Sequence, residues 1–191
     1  EIVAETAAAM HVRAMIGTPV IDFPTAWANG ASDCLARGAD LVHDRYAEHA
    51  LISSCFAPHS IDTVTDAAFA ELRVMADQLD VRVQIHLHES QAEIAASVKA
   101  TGLRPLARLS ALGLVNSSLL VVHGVHLDVA EISQLSAARV SVAHCPRSNL
   151  KLASGIAPIA RYVANGLNIA LGTDGAASNN ALDLFDEMKT S

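Results

Sequence analysis

The sequence predicts an α/β fold built on parallel strands, and three observations carry that prediction. Short apolar runs rich in Val, Ile and Leu alternate with helical patterns from one end of the chain to the other. Several of those runs are nearly continuous instead of alternating apolar with polar, as strands covered on both faces are. No run is followed by the glycine-rich loop G-x-G-x-x-G, which weighs against a dinucleotide-binding sheet. At this level a doubly wound sheet and a (β/α)8 barrel both stay open.

In order, the first ten residues, Glu1 to Met10, read as helix, and a strand is expected over Arg13–Ile16. The next strand is expected over Leu51–Ala57. After Thr65, the residues Phe69, Leu72, Ala76 and Leu79 share one helical face, as a helix covering a sheet requires. Val81–Leu87 reads as strand, and Ser90-Gln91-Ala92-Glu93 after it as a capping box that starts a helix. Pro105 suits a first helical turn, and Gly113 suits the loop that follows. Leu119–His123 is the fourth strand candidate. Asp128 with Glu131 opens the helix behind it, carboxylates being favoured at a helix N-terminus. Val140–His144 and Asn168–Gly172 complete the strands, with Pro158 and Gly166 bounding the helix between them. No low-complexity tract, charge block or Pro/Gly-rich linker interrupts the pattern, so a single domain over 1–191 is expected. Both ends read as cut within a longer protein, because helical patterns abut them and the chain opens without Met.

Composition narrows the function classes. With 51% hydrophobic residues, 4% aromatic and 17% charged, Ala, Val, Leu and Ile must fill a sizeable core. A formal net charge of −7 argues against a nucleic-acid backbone as partner, since that binding rests on Lys and Arg neutralising phosphates. A single nucleoside is not excluded by it. Cys34, Cys55 and Cys145 are odd in number and lack C-x-x-C spacing, so they read as reduced buried thiols of a cytoplasmic protein. No run of 18 apolar residues and no signal peptide is visible.

The chemistry is expected where the strands end. Leu51–Ala57 runs into Pro58-His59, Val81–Ile85 into His86-Leu87-His88-Glu89, Leu119–Val122 into His123, Val140–Ala143 into His144, and Asn168–Gly172 into Thr173-Asp174. Parallel strands bring those ends to one edge, where active sites of such folds are built. Packing alone explains such a gathering poorly, because burying several titratable groups costs several kcal/mol unless a metal or partners compensate. Imidazoles with a carboxylate suit a borderline divalent ion, zinc first, with iron or manganese as alternatives. His86 and His88 would face the same way on a continued strand, whereas a strand ending at Leu87 would leave His88 in the loop.

At these residues the chain resembles the amidohydrolase superfamily, and within it the S-adenosylhomocysteine/5′-methylthioadenosine deaminase branch, kin to triazine hydrolases and guanine deaminases. The likeness runs over nearly the whole chain. It is carried in order by Pro19-Val20-Ile21-Asp22-Phe23-Pro24-Thr25, Ala57-Pro58-His59-Ser60, His86-Leu87-His88-Glu89-Ser90, Val122-His123-Gly124-Val125-His126-Leu127, Ala143-His144-Cys145-Pro146-Arg147-Ser148-Asn149-Leu150-Lys151-Leu152, and Leu171-Gly172-Thr173-Asp174-Gly175-Ala176-Ala177-Ser178-Asn179-Asn180.

That resemblance implies a partial (β/α)8 TIM-type barrel, of which this chain supplies roughly strands three to eight. It implies His86 as a metal ligand in preference to His88, Glu89 as the proton carrier to the substrate ring, and His123 as the group that orients the attacking water. Asp174 is implied as metal ligand and acceptor of the water's proton, His59 as a substrate contact, and Arg13 as a contact for the substrate's carboxylate end. The implied activity is metal-dependent hydrolytic deamination of an adenine nucleoside to an inosine-type product and ammonia. Guanine or triazine hydrolysis on the same site is the alternative, and a non-catalytic nucleoside- or metal-binding barrel the alternative of another class. The partners implied are a small nucleoside and one divalent ion, with no nucleic acid and no membrane; a homo-oligomer is compatible with the sequence. The family's first-strand H-x-H and second-strand carboxylate have no counterpart here, so the isolated 191-residue chain is expected to be inactive. Ile61-Asp62 stands where the family carries Pro-Tyr. His126 and His144 are expected to orient loops, and Ser148-Asn149 and Ser178-Asn179-Asn180 to form Asx-type turns.

Overall fold

The computed structural model of the chain describes residues 2–41 and 45–191. Among the described residues the strands follow chain order, and they pair in parallel. The chain forms two compact units, Glu1–Gln84 and Ile85–Ser191.

The first unit holds α1 (Ile2–Ala9), β1 (Ala14–Val20), α2 (Ala31–Asp40), β2 (Ile52–Pro58), α3 (Asp66–Leu79) and the start of β3 (Arg82–Leu87). β1 and β2 pair from Ala14↔Ile52 to Val20↔Pro58, and β2 meets β3 at Cys55↔Arg82 and Phe56↔Val83. β1 continues four residues beyond the expected Ile16, through Gly17 and Pro19, which read as strand breakers. Pro19 stands in register with Ala57 of β2. Thr65 caps α3, its hydroxyl accepting from the Ala68 amide at 3.3 Å. Of the expected apolar face of α3, Phe69, Leu72 and Ala76 are buried and Leu79 half-buried. Phe56, Cys55, Leu35 and Cys34 complete this core.

The second unit holds the end of β3, then α4 (Gln91–Thr101), α5 (Pro105–Ala111), β4 (Leu119–His123), α6 (Val129–Ala137), β5 (Ser141–His144), α7 (Pro146–Lys151), α8 (Ile159–Ala164), β6 (Asn168–Leu171) and α9 (Leu184–Thr190). β4 pairs β5 through Val121↔Val142, and β5 pairs β6 through His144↔Leu171. Gly113 and Gly166 end their helices with φ +75° and +74°, a left-handed conformation that glycine adopts without a Cβ penalty. Pro105 takes the first turn of α5 as expected, whereas Pro158 lies one residue outside α8. Asp128 and Glu131 form a complete capping box. The box expected at Ser90 is only half made. Ser90 Oγ accepts from the Glu93 amide at 3.1 Å, but the Glu93 carboxylate reaches past the cap to the amides of His88 (2.9 Å) and Glu89 (2.8 Å). Glu93 thereby braces the turn that carries Glu89 and does not cap Ser90. Leu119, Val121, Val142, Leu135 and Tyr162 are buried, and the Tyr162 hydroxyl donates to the Gly124 carbonyl.

Candidate active site

Four predicted residues meet in the second unit. His86 lies one residue before the end of β3, His123 is the last residue of β4, and Asp174 follows β6 by three residues. One ligand atom from each of these three lies within 4.8 Å of the others. The His86 and His123 rings stack with centroids 5.5 Å apart. Glu89, two residues past β3, places Oε2 3.6 Å from His123 Nε2, and Asp174 Oδ2 lies 3.9 Å from the same nitrogen. His123 and Asp174 both hold positive φ, +73° and +58°. Non-glycine residues rarely adopt that conformation, and where they do the surrounding structure must over-determine it.

The cluster is fastened from behind. Asn149 Oδ1 lies 2.8 Å from His123 Nδ1, both buried. With that oxygen as acceptor, Nδ1 carries the proton and Nε2 turns its lone pair toward the two carboxylates. Asp174 Oδ2 accepts from the hydroxyls of Ser148 and Ser178, each at 2.7 Å. Burial pushes the Asp174 carboxyl up. The two hydroxyls, the Gly175 amide and His123 together outweigh burial and hold it below the usual carboxylate range. Glu187, fully buried, accepts from Asn179 Nδ2 at 2.6 Å and from the Arg147 amide at 3.1 Å, tying the loop after β6 to α7.

His88 is not part of the cluster. The strand ends at Leu87 and His88 takes φ +53°, so the alternation that would have aligned it with His86 is broken. Its ring is fully buried, and Nε2 accepts from the Leu106 amide at 3.1 Å. Arg104 Nη2 stands 3.3 Å from Nδ1 and donates to the His126 carbonyl at 2.9 Å. Burial, with Arg104 adding to it, pushes the imidazole down to about 4 against the pull of Glu131, so His88 is a neutral anchor. His144 is likewise buried and its imidazole lowered, first by burial. Among the described residues, His144 Nδ1 and Asn149 Nδ2 have no hydrogen-bond partner, and both residues line a cavity of about 430 Å³ with Leu150, Ile156 and Ile159.

Arg13 and His59 belong to the first unit. His59 follows the last residue of β2, with Nδ1 3.3 Å from Thr63 Oγ1. Arg13 precedes the first residue of β1 and donates to the Ala50 carbonyl at 3.1 Å. Because β1 and β2 are parallel, these two residues stand at opposite ends of the pair. Ser148, Asn149 and Ser178, expected only to shape turns, contact the cluster directly. Asn179 shapes the turn as expected, its Oδ1 accepting the Ala181 and Leu182 amides at 3.1 and 3.3 Å, and its Nδ2 donates to the Thr173 carbonyl at 2.7 Å. The signal for Ser148 and Ser178 is positional, since each falls four residues after a strand-end motif residue, His144 and Asp174.

The sequence profile of the amidohydrolase family matches residues 1–191. The chain belongs to the amidohydrolase family. This amidohydrolase chain is 45% identical over 186 residues to a 5-methylthioadenosine/S-adenosylhomocysteine deaminase of Teredinibacter turnerae, a match covering 96% of the chain and 42% of that protein. It superimposes on the crystal structure of an adenosine deaminase from Xanthomonas campestris with bound zinc, at TM-score 0.95 and 49% identity, over 98% of this chain and 42% of that one. A guanine deaminase from C. acetobutylicum with bound guanine matches at TM-score 0.90 and 20% identity, over 97% and 45%, a likeness of fold alone. The amidohydrolase chain thus spans about two fifths of the length of the proteins it matches. The expected fold class, part of a (β/α)8 barrel, agrees with these likenesses and with the run of parallel strands. Among the described residues, no helix of this amidohydrolase is long and apolar enough to cross a membrane.

Proposed function

We propose that the protein hydrolytically deaminates an adenine nucleoside of the S-adenosylhomocysteine, 5′-methylthioadenosine or adenosine type, releasing ammonia and an inosine-type product. The observation that carries this reading is the convergence of His86, His123 and Asp174 within 4.8 Å, with the Glu89 carboxylate 3.6 Å from His123. Two imidazoles and a carboxylate are a donor set that fits a borderline divalent ion. In this reading His86 and Asp174 hold the ion, zinc first because the related adenosine deaminase holds it. When bound, such an ion supplies Lewis acidity that lowers the pKa of water into the neutral range.

The remaining work falls to the side chains. Asp174 accepts the proton of the attacking water. His123, whose Nε2 lone pair faces the carboxylates, orients that water and stabilises the charge that develops. The water oxygen forms the C–O bond while Glu89 delivers a proton to the ring nitrogen; the proton held by Asp174 then passes to the amino group, the C–N bond breaks and nitrogen leaves as ammonia, and the remaining proton of the added hydroxyl returns to Glu89 as the carbonyl forms. His59, at the end of β2, is the proposed substrate contact, on the family resemblance. Arg13 stands at the other end of that strand pair, before the first residue of β1. A non-catalytic binder has no use for two proton-handling carboxylates. The buried, unpaired Cys34, Cys55 and Cys145 support a reducing, cytoplasmic setting.

The test is ammonia release by the zinc-loaded full-length protein, not the isolated 191-residue chain, from adenosine, 5′-methylthioadenosine and S-adenosylhomocysteine, with guanine beside them. Turnover of at least one adenine nucleoside well above guanine is expected. Glu89→Gln should lower kcat by about 10²–10⁴-fold with zinc retained. Preferred turnover of guanine overturns the substrate, and an unchanged kcat in Glu89→Gln overturns the role of Glu89.

A further inference from the structure

We infer that Ser154 is a positioning residue for Glu89, and that a closed tether through His126 and Gln91 keeps its hydroxyl on the carboxylate. The inference rests on the deaminase reading above, in which Glu89 carries the proton to the ring.

Ser154 lies in the turn after α7 and is 8% exposed. Its amide donates to the Asn149 carbonyl at 2.8 Å, and its hydroxyl donates to Glu89 Oε1 at 3.2 Å. The turn is pressed against the His126 ring. Gly155, at φ +123°, has no Cβ, and one added there would lie 3.1 Å from Val125 Cγ1 and 3.4 Å from His126 Cε1. His126 Nε2 is 2.7 Å from the Ser154 carbonyl oxygen. A carbonyl only accepts, so Nε2 carries the proton. In the neutral ring Nδ1 is then the acceptor, and Gln91 Nε2 donates to it at 3.0 Å. Gln91 is the first residue of α4, two residues beyond Glu89. The chain of contacts therefore leaves the Glu89 turn through Gln91, passes through His126 and Ser154, and returns to the Glu89 carboxylate.

The consequence is a division of labour between two oxygens. Oε1 accepts from Ser154, while Oε2 is the oxygen that faces His123 Nε2 at 3.6 Å. Glu93 fixes the backbone of the same turn through the His88 and Glu89 amides. With backbone and one oxygen held, the proton enters and leaves through Oε2, and little rotamer freedom is left to lose on the way to the transition state. Neither Ser154 nor His126 touches the substrate in this account; Ser154 acts through Glu89.

The test uses the zinc-loaded full-length protein, not the isolated 191-residue chain, and four variants of it: Ser154→Ala, Ser154→Cys, Glu89→Gln, and Ser154→Ala with Glu89→Gln. Ser154→Ala should lower kcat about ten- to hundredfold, as loss of a hydrogen bond to a charged group does, with KM within about twofold and zinc content unchanged. Ser154→Cys keeps nearly the same size but donates weakly, so it should fall in the same direction and keeps the question open to test where the alanine variant folds poorly. In the Glu89→Gln background, removing the hydroxyl should change kcat by less than about twofold. Wild-type kcat in both Ser154 variants overturns the inference, and so does a loss that multiplies equally in both backgrounds, which marks a merely structural role. If Glu89→Gln is itself as active as wild type, the deaminase role of Glu89 falls first and the inference falls with it. A dead Glu89→Gln beside a fully active Ser154→Ala removes the inference alone.

Discussion

His123 Nδ1 and Asn149 Oδ1 meet at 2.8 Å across 26 residues of sequence, and neither side chain is open to solvent. The bond joins the last residue of β4 to α7 and decides which imidazole nitrogen is left for chemistry. Asn149→Ala strands a buried N–H and frees the ring to rotate or change tautomer. A stability loss of about 1–3 kcal/mol is expected from the orphaned donor. A fall in kcat of at least tenfold is expected with it, larger than any change in KM. Chemical denaturation and steady-state kinetics on the same preparation check both, and an active, equally stable variant contradicts the tautomer argument.

His86 and His88 should part company under mutation. His86→Ala removes a donor from the cluster, so zinc content measured on the purified protein should fall. His88→Ala should leave zinc in place. It deletes the acceptor of the Leu106 amide and one wall of the Arg104–Glu131 pairing, in which Arg104 Nε lies 2.7 Å from Glu131 Oε1. Its expected signature is a stability loss of about 2–4 kcal/mol from an unsatisfied buried amide and a cavity. Loss of metal in both variants to the same degree would contradict the separation.

Burial pushes the Cys55 thiol up to about 11 from its usual 9.0, against the opposing pull of Arg82. The sign follows from which state holds the proton. Folded Cys55 keeps its proton at pH values where the unfolded chain has released it, so the unfolded state binds fewer protons and stability falls as pH rises. The contribution is fully present below pH 9 and is lost between about 9 and 11, on the order of 2–3 kcal/mol. Iodoacetamide at pH 8 should leave Cys55 unlabelled in the folded protein and label it in denaturant. In Cys55→Ala the part of the alkaline decline that this thiol causes should vanish.

How much of this was legible in the sequence depends on what each feature needed. Leu119–His123 holds its predicted bounds because nothing in it competes with a strand. β1 runs past its predicted end because Gly17 and Pro19 signal a break locally, and only the pairing with β2 overrides them. The strand-end residues His86, His123 and Asp174 were readable because parallel strands deliver their ends to one rim. His88 was not separable from His86, since the answer lies in one backbone angle. Ser148 and Ser154 were missed for a common reason. A serine in a turn explains itself locally, and its bond to a carboxylate 26 or 65 residues away exists only once the strands have paired.

Gly38 offers a last prediction, on the packing of α2. An added Cβ would lie 2.7 Å from Phe56 Cε1 and 2.8 Å from Thr18 Oγ1, closer than real Cβ atoms approach. Neither neighbour yields easily. The Phe56 ring is fully buried, and the Thr18 hydroxyl donates to the Cys55 carbonyl at 3.1 Å. Alanine is intrinsically the better helix residue by about 1 kcal/mol, so an unpacked helix would gain from Gly38→Ala. Overpacking of a filled core costs about 1–3 kcal/mol, and the net expectation is a loss. Helix α2 must ride up from β1 and β2 or Phe56 must leave its rotamer. The denaturation midpoint of Gly38→Ala should therefore fall, and Gly38→Ala with Phe56→Leu should lose less than the sum of the two single changes, because the smaller side chain relieves the clash. Additive losses would mean that the close approach of Gly38 to Phe56 does not set the stability of this layer.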